Sequence, residues 1–362
     1  MTSKERVLRA LRHQPVDHTP VFMWFHPETT RQLAKTLEIP PQFLGDVLGN
    51  DVHQTWVGNN YAMEGITHEH DGQTHRDDWG IEWVRIGGFN QILTSPLEHA
   101  TAEVMRRYEF PLRRVNTLVG AMEQVMEGAR EYLIGCDVSP CLFEMICRLR
   151  GMEQAMIDIA EQPDLADDLL EKATGFACAL SEEACRRYKP DWLWTGDDVA
   201  GQQALMISPS VWRSLVRPRL TRIVQVGKQH NIPVAYHCCG ALRPIIPDLI
   251  AMGIDVLNPI QSKCPGMDPI ELKREFGTSL TFMGGVDTMD LLPNGTPGEV
   301  LRETISLIEE MTRDGGGYIL AASHTVPPET PQENIFALYS AAGITKEQIL
   351  DRAASVRRAV NG

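Results

Sequence analysis

The sequence predicts an α/β protein, a (β/α)8 TIM barrel, on three observations. Short apolar runs recur along the chain. Segments of helical periodicity separate them, so the order reads strand, helix, strand. No Gly-x-Gly-x-x-Gly follows the first run, which disfavours an open dinucleotide-binding sheet. Runs nearly continuous in apolar residues suit strands buried on both faces, the habit of parallel sheets. With 362 residues and 43% hydrophobic content the chain can bury one large core, and residues 1–362 are read as a single domain.

The elements follow in order. Residues 2–11 carry an amphipathic helix pattern with Thr2 and Glu5 as a capping box, not the apolar core of a signal peptide. The first apolar run is 21–24, and 132–136 is the second. Residues 66–95 break the rhythm. They hold His68, His70, His75, Asp77 and Asp78, then strand-like alternation at 81–85 and a Gly87-Gly88 turn. This segment is expected to be a hairpin insertion folded over the barrel. Its three histidines lack regular spacing and read as a solvated loop. Further runs stand at 192–196, 234–239, 256–259, 280–284 and 318–322. The total is one short of a barrel's eight strands. Thr296-Pro297-Gly298-Glu299 and Thr330-Pro331-Gln332-Glu333 both read as N-cap, proline at N1 and glutamate at N3.

Charge and composition exclude several classes. A net charge of −14 argues against nucleic acid and against an anionic membrane surface. No apolar run is long enough to span a bilayer. The eight cysteines follow no disulfide framework and suit a reducing, cytoplasmic setting.

Catalytic groups of a βα barrel sit at the C-terminal ends of its strands. That rule selects His26, Asp137, Asp197, Asp198, His237, Cys239, Gln261, Cys264, Asp287, Ser323 and His324. The most informative stretch is Val234-Ala235-Tyr236-His237-Cys238-Cys239-Gly240. Alternate residues of a strand share a face, so His237 and Cys239 point one way and Cys238 the other. An imidazole and a thiolate at a strand end can hold zinc, which needs at least three protein ligands. Candidates for the third are His324, Cys264, Asp198 and Cys136; His324 comes first, because it stands at a strand end. One of Asp197 and Asp198 is expected to be catalytic, as a general base or a substrate anchor; the alternative is a helix cap. His26, Gln202 and Asp287 are expected to bind substrate.

Several motifs resemble the uroporphyrinogen decarboxylase superfamily. They are Glu5-Arg6-Val7-Leu8-Arg9-Ala10-Leu11 with Pro15-Val16-Asp17-His18-Thr19-Pro20-Val21; Thr195-Gly196-Asp197-Asp198-Val199-Ala200; His237-Cys238-Cys239-Gly240; Gly284-Gly285-Val286-Asp287; and Gly315-Gly316-Gly317-Tyr318. The resemblance implies a TIM barrel and one of two activities. True uroporphyrinogen decarboxylases carry an arginine-bearing Arg-Gln-Ala-Gly-Arg segment after the first strand. This chain has Met23-Trp24-Phe25-His26-Pro27-Glu28-Thr29-Thr30-Arg31 there, which weakens that branch. The other branch comprises zinc-dependent methyltransferases that work with corrinoid proteins and bind zinc through His-x-Cys and a later cysteine. His237 and Cys239 match the first two, and His324 falls where the later cysteine would stand.

The resemblance therefore implies Zn2+ on His237, Cys239 and His324, with a corrinoid carried by a partner protein. Zinc with one thiolate and two imidazoles keeps a charge of about +1 and is a strong Lewis acid. That favours demethylation of a small methylated substrate such as a methyl ether. The alternatives are a metal-free decarboxylase of a small carboxylate and a non-catalytic binding protein.

Overall fold

The computed structural model describes residues 1–58, 70–87, 89–126 and 131–361. Its strands, in chain order, are β1 (Val52–Trp56), β2 (Thr74–Arg76), β3 (Glu82–Ile86), β4 (Phe89–Thr94), β5 (Leu133–Asp137), β6 (Trp192–Gly196), β7 (Val234–His237), β8 (Val256–Ile260), β9 (Thr281–Val286) and β10 (Tyr318–Ala322). One sheet runs β1-β5-β6-β7-β8-β9-β10, parallel throughout, with helices between its strands. The predicted (β/α)8 barrel is the fold found.

The run at 21–24 fills the eighth place without forming a regular strand. Phe22 N–H donates to Leu320 O at 3.0 Å, and Leu320 N–H to Pro20 O at 2.8 Å. On the other side Asp51 N–H donates to Val21 O at 2.8 Å. Side chains then replace the ladder. Asp51 Oδ2 accepts from Val21 N–H at 2.8 Å, and the Asn50 amide pairs with both Met23 N–H and Met23 O, at 3.2 and 3.0 Å. Buried backbone groups must be paired, and these two polar side chains satisfy groups that no neighbouring strand reaches. The strand absent from the sequence reading is β1. Its His53 and Gln54 interrupt the apolar pattern, so nothing in 52–56 reads as a continuous run.

Strand parity divides the core in two. Leu133, Trp192, Trp194, Ala235, Ile319 and Ala321 fill the barrel interior with Phe22 and Val52. Their alternating neighbours Ile134, Leu193, Tyr236 and Leu320 face the outer helices. Val7, from the helix Ser3–Leu11, closes the barrel floor. That helix is anchored by Arg6, which pairs with Asp17 at 2.7 Å and buried Asp51 at 2.5 Å. Gly135 is required opposite Trp192, since a Cβ there would stand 2.3 Å from the indole Nε1.

The insertion is a three-stranded antiparallel sheet, β2-β3-β4, so it carries one strand more than a hairpin. It lies over the barrel mouth: the Phe89 ring stands 4.5 Å from the His26 ring, and the Arg148 guanidinium lies 5.4 Å over Trp83. Of the expected caps, Thr2 accepts from Glu5 N–H, and Thr296 with Glu299 forms a full capping box. The Thr330 box does not form. Pro331 takes the N-cap place, and the Thr330 hydroxyl is buried without a partner among the described residues.

Candidate metal centre

His237 ends β7, and the chain continues through Cys238, Cys239 and Gly240. Cys238 is fully buried in the outer core, while Cys239 returns to the side of His237. Gly240 has φ +90°, and a Cβ there would stand 2.4 Å from Gly201 O, so the exit from the strand needs glycine. Cys239 Sγ lies 3.6 Å from His237 Nε2. Asp198 Oδ1 lies 4.0 Å from the same nitrogen and accepts Cys239 N–H at 2.8 Å. Ligand atoms of Asp198, His237 and Cys239 all lie within 4.8 Å of one another.

The hydrogen bonds set the imidazole's tautomer. Asn258 Nδ2 donates to Met283 O at 3.3 Å, which turns its Oδ1 towards His237 Nδ1 at 2.7 Å. An amide oxygen only accepts, so Nδ1 carries the proton. The lone pair of Nε2 then faces Cys239 and Asp198, the arrangement a metal-bound histidine requires. Burial, with the Asp198 carboxylate beside it, pushes the Cys239 thiol up. A nitrogen lone pair, a sulfur and a carboxylate converge on one point, and this donor set fits zinc.

The structure separates the other expected residues. Asp197, expected as a catalytic candidate with Asp198, is fully buried and accepts Glu144 N–H at 2.7 Å, where it caps the helix Phe143–Arg150. Burial lifts its carboxyl to about 7, against the pull of the Glu144 and Phe143 N–H groups. The adjacent pair thus splits across the strand end, one carboxylate structural and one in the cluster. His324 stays outside the group gathered within 4.8 Å. Burial, and then the neighbouring His237, lower its pKa. Cys136 is buried in the outer core, facing away. Cys264 Sγ lies 3.7 Å from Gln261 Oε1. His70 is exposed, His75 lies beside Trp83 on β2–β3, and His68 falls outside the described residues.

His26, Gln202 and Asp287 line one cavity of ≈ 540 Å³, together with His324 and Gln261. His26 Nδ1 also accepts Glu28 N–H at 3.1 Å, capping the helix Pro27–Leu37. Asp287 takes Met289 N–H at 2.9 Å and lies 3.9 Å from Lys263. A second cavity of ≈ 170 Å³ contains His237 and Asp198, with Trp24, Trp56, Trp194 and Asp137 in its wall. Asn258 and the Trp24–Trp56 wall were missed in the sequence. Parity offered a signal for Asn258, which shares a strand face with Val256; Trp56 was lost with β1.

A barrel with a His, a Cys and an Asp gathered at its strand ends defines the class: a TIM-barrel protein with a candidate metal-binding cluster at its mouth. The family model of uroporphyrinogen decarboxylase (URO-D) matches residues 80–343, and the chain belongs to that family. The chain is 24% identical over 227 residues to a methylated-thiol–coenzyme M methyltransferase of Methanosarcina mazei, a stretch covering 62% of this chain and 57% of that relative. It is 22% identical over 348 residues to a methylcobamide:CoM methyltransferase of the same organism, covering 92% and 95%. A uroporphyrinogen decarboxylase of Thermus thermophilus is 27% identical over 132 residues, covering 36% of this chain and 35% of that one. Among solved structures, a methyltransferase from Methanosarcina mazei superposes with a TM-score of 0.70 at 19% identity, covering 95% of this chain and 98% of that one; this likeness shows the fold. The resemblance read from the motifs thus holds for the family, and methyltransferases stand among the relatives this chain is similar to. No helix among the described residues is long and apolar enough to cross a membrane.

Proposed function

We propose that this chain transfers a methyl group between a small methylated substrate and a corrinoid carried by a partner protein, with zinc held by His237 and Cys239. The observation that carries the reading is the pairing of Cys239 Sγ with an oriented His237 Nε2 at 3.6 Å, beside a substrate-sized cavity. The methyltransferase relatives support the same chemistry. When bound, zinc supplies Lewis acidity to a group placed in its open position. Asn258 holds the imidazole and Asp198 fixes the Cys239 backbone.

The third ligand bears on the substrate. With His324 the centre keeps a charge of about +1, which suits a poor leaving group such as an ether oxygen. With Asp198, whose carboxylate stands nearer the pair, the charge falls to about zero. We assign the third place to Asp198 and give His324 a role in the adjoining cavity with His26, Gln202 and Asp287. A near-neutral centre no longer favours an ether oxygen as the leaving group, and methyl transfer does not depend on that preference.

The test is methyl transfer measured between methylated substrates and a reduced corrinoid acceptor. His237→Ala and Cys239→Ala should each lower turnover by about 100-fold or more. Undiminished transfer in both variants would refute the proposed centre.

A further inference from the structure

A corrin macrocycle is far too wide to enter the ≈ 170 Å³ cavity beside His237. The ring of a corrinoid held by a partner must stop outside and bring one face to the opening. A cavity of ≈ 650 Å³ adjoins the smaller one, and the two share Glu144, Arg148 and Asp198 in their walls. The larger cavity therefore reaches the candidate metal cluster, to which Asp198 also belongs. Trp83, Ile92 and Leu93 of the inserted sheet line one side of it, and Phe143, Met152 and Met206 of the barrel line the other.

Much of this wall is apolar and exposed. Ile92 is 39% exposed, Leu93 50%, and Met152, which begins the helix Met152–Glu161, 56%. Single apolar residues on a surface are ordinary, but a cluster of them around a cavity marks an interface. β4 is also an edge strand, since the order β2-β3-β4 leaves one of its sides unpaired among the described residues. Soluble proteins blunt such edges with charges or proline, and Phe89-Asn90-Gln91-Ile92-Leu93-Thr94 has neither. A bulge falls at Leu93, which has no partner on β3 between the Trp83–Ile92 and Glu82–Thr94 pairs. Bulges re-aim side chains, and Leu93 stands in the cavity wall.

The polar groups suit the same occupant. Asn90, Gln91 and Ser95 supply uncharged polar side chains to the wall. Of its charged residues, Arg148 pairs with Glu144 at 2.7 Å, Asp198 stands in the cluster and Glu98 is exposed. A corrin ring offers the matching surface, with methyl groups and ring carbons on its faces and neutral amides around its rim. Such amides hydrogen-bond to Asn and Gln side chains and need no counter-charge. We infer that the cavity between β4 and the helix Met152–Glu161 seats the corrinoid of the partner protein, with Ile92, Leu93 and Met152 against the ring. The inference rests on the methyl-transfer reading and adds the surface on which the corrinoid arrives.

Free methylcobalamin is the probe, because it carries the same ring and amide rim. Its binding is measured by calorimetry on the protein as isolated, and methyl transfer to reduced cobalamin is measured on the same preparations. Leu93 is half exposed, so Leu93→Asp should fold and keep its zinc. It should weaken methylcobalamin binding by about tenfold or more, because the new carboxylate would be buried against the ring. Leu93→Met should bind as wild type does. Ile305→Asp, at another exposed apolar position on the helix Pro297–Thr312, should also leave binding unchanged. In turnover, Leu93→Asp should raise the KM for reduced cobalamin and leave kcat as it was. Equal binding by wild type and a folded Leu93→Asp, or no binding by wild type, would overturn the docking face; methyl transfer would still decide the proposed activity. Binding as expected without methyl transfer would keep the face as a corrinoid site and sink the activity. A wild-type dimer that Leu93→Asp dissociates, with methylcobalamin binding unchanged, would give β4 to a second copy of this chain and overturn the inference.

Discussion

His237 and Cys239 could be paired from the sequence because strand parity is a rigid rule: two residues apart on a strand means one face. The same rule placed Cys238 on the opposite face, where it lies fully buried. Cys238→Ala should therefore keep the metal and cost about 1–2 kcal/mol of stability in denaturant melts, the effect of a small cavity. The partition of ligands beyond the pair was not legible. It depends on how the loop after β6 turns, and adjacent aspartates give no hint of which one caps a helix. Asp198→Asn and His324→Ala separate the two readings of the third place. Asp198→Asn should lower zinc affinity by roughly 10-fold or more, while His324→Ala should retain zinc and lose turnover. Zinc lost from His324→Ala and kept in Asp198→Asn would restore His324 as the ligand. Asn258 reads in the sequence as one more residue of a buried strand. Its role appears once β7 and β8 are in register, with His237 opposite Asn258. Asn258→Ala should weaken zinc by roughly 10–100-fold without removing a ligand.

At the scale of elements, apolar runs located the barrel strands from β5 to β10, since these are buried on both faces. They failed at β1 and found the closing segment at 21–24, which forms no regular strand; in both places polar side chains carry structure. Gln54 Oε1 accepts the Trp192 indole N–H at 2.8 Å, and Asn50 and Asp51 satisfy the backbone of 21–23. Arg6 is the keystone of this region. Its side chain is 8% exposed and that of Asp51 3%. Arg6→Met leaves the Asp51 charge buried and uncompensated and should cost about 3–5 kcal/mol, read from urea midpoints. The Arg6 hydrogen bond also holds Asp17 well below its ordinary value of 3.8. A depressed carboxylate contributes stability that is present above its unfolded pKa and is lost as pH falls through the folded one. The Asp17 contribution is therefore full at neutral pH and fades below about 4. Asp17→Asn should flatten that part of the acid limb; an unchanged acid limb would show that the pair does not act in this way.

At the scale of the whole molecule, the barrel sets the site at the strand ends and the inserted sheet covers it. Fold and mouth were legible because βα periodicity and strand-end position are global regularities. The substrate class was not, because it depends on which side chains from distant segments share a cavity, as Trp24, Trp56 and Trp194 do beside His237. The decarboxylase alternative makes a contrary demand. A tetrapyrrole with many carboxylates needs cationic partners, yet Arg31, the arginine nearest the closing segment, is an exposed residue paired with Glu28. The cavity beside His237 is ≈ 170 Å³ with carboxylates in its wall. Uroporphyrinogen should not be decarboxylated; coproporphyrinogen formed at an enzymatic rate would return the chain to that branch of the family.

The most direct test of the account is the zinc content of three proteins purified side by side without added metal: wild type, Cys239→Ala and Cys238→Ala. Wild type and Cys238→Ala should each carry about one zinc per chain, and Cys239→Ala should lose most of it. Wild-type protein without zinc, or equal zinc loss in the two variants, would contradict a metal held by His237 and Cys239 at the mouth of this barrel.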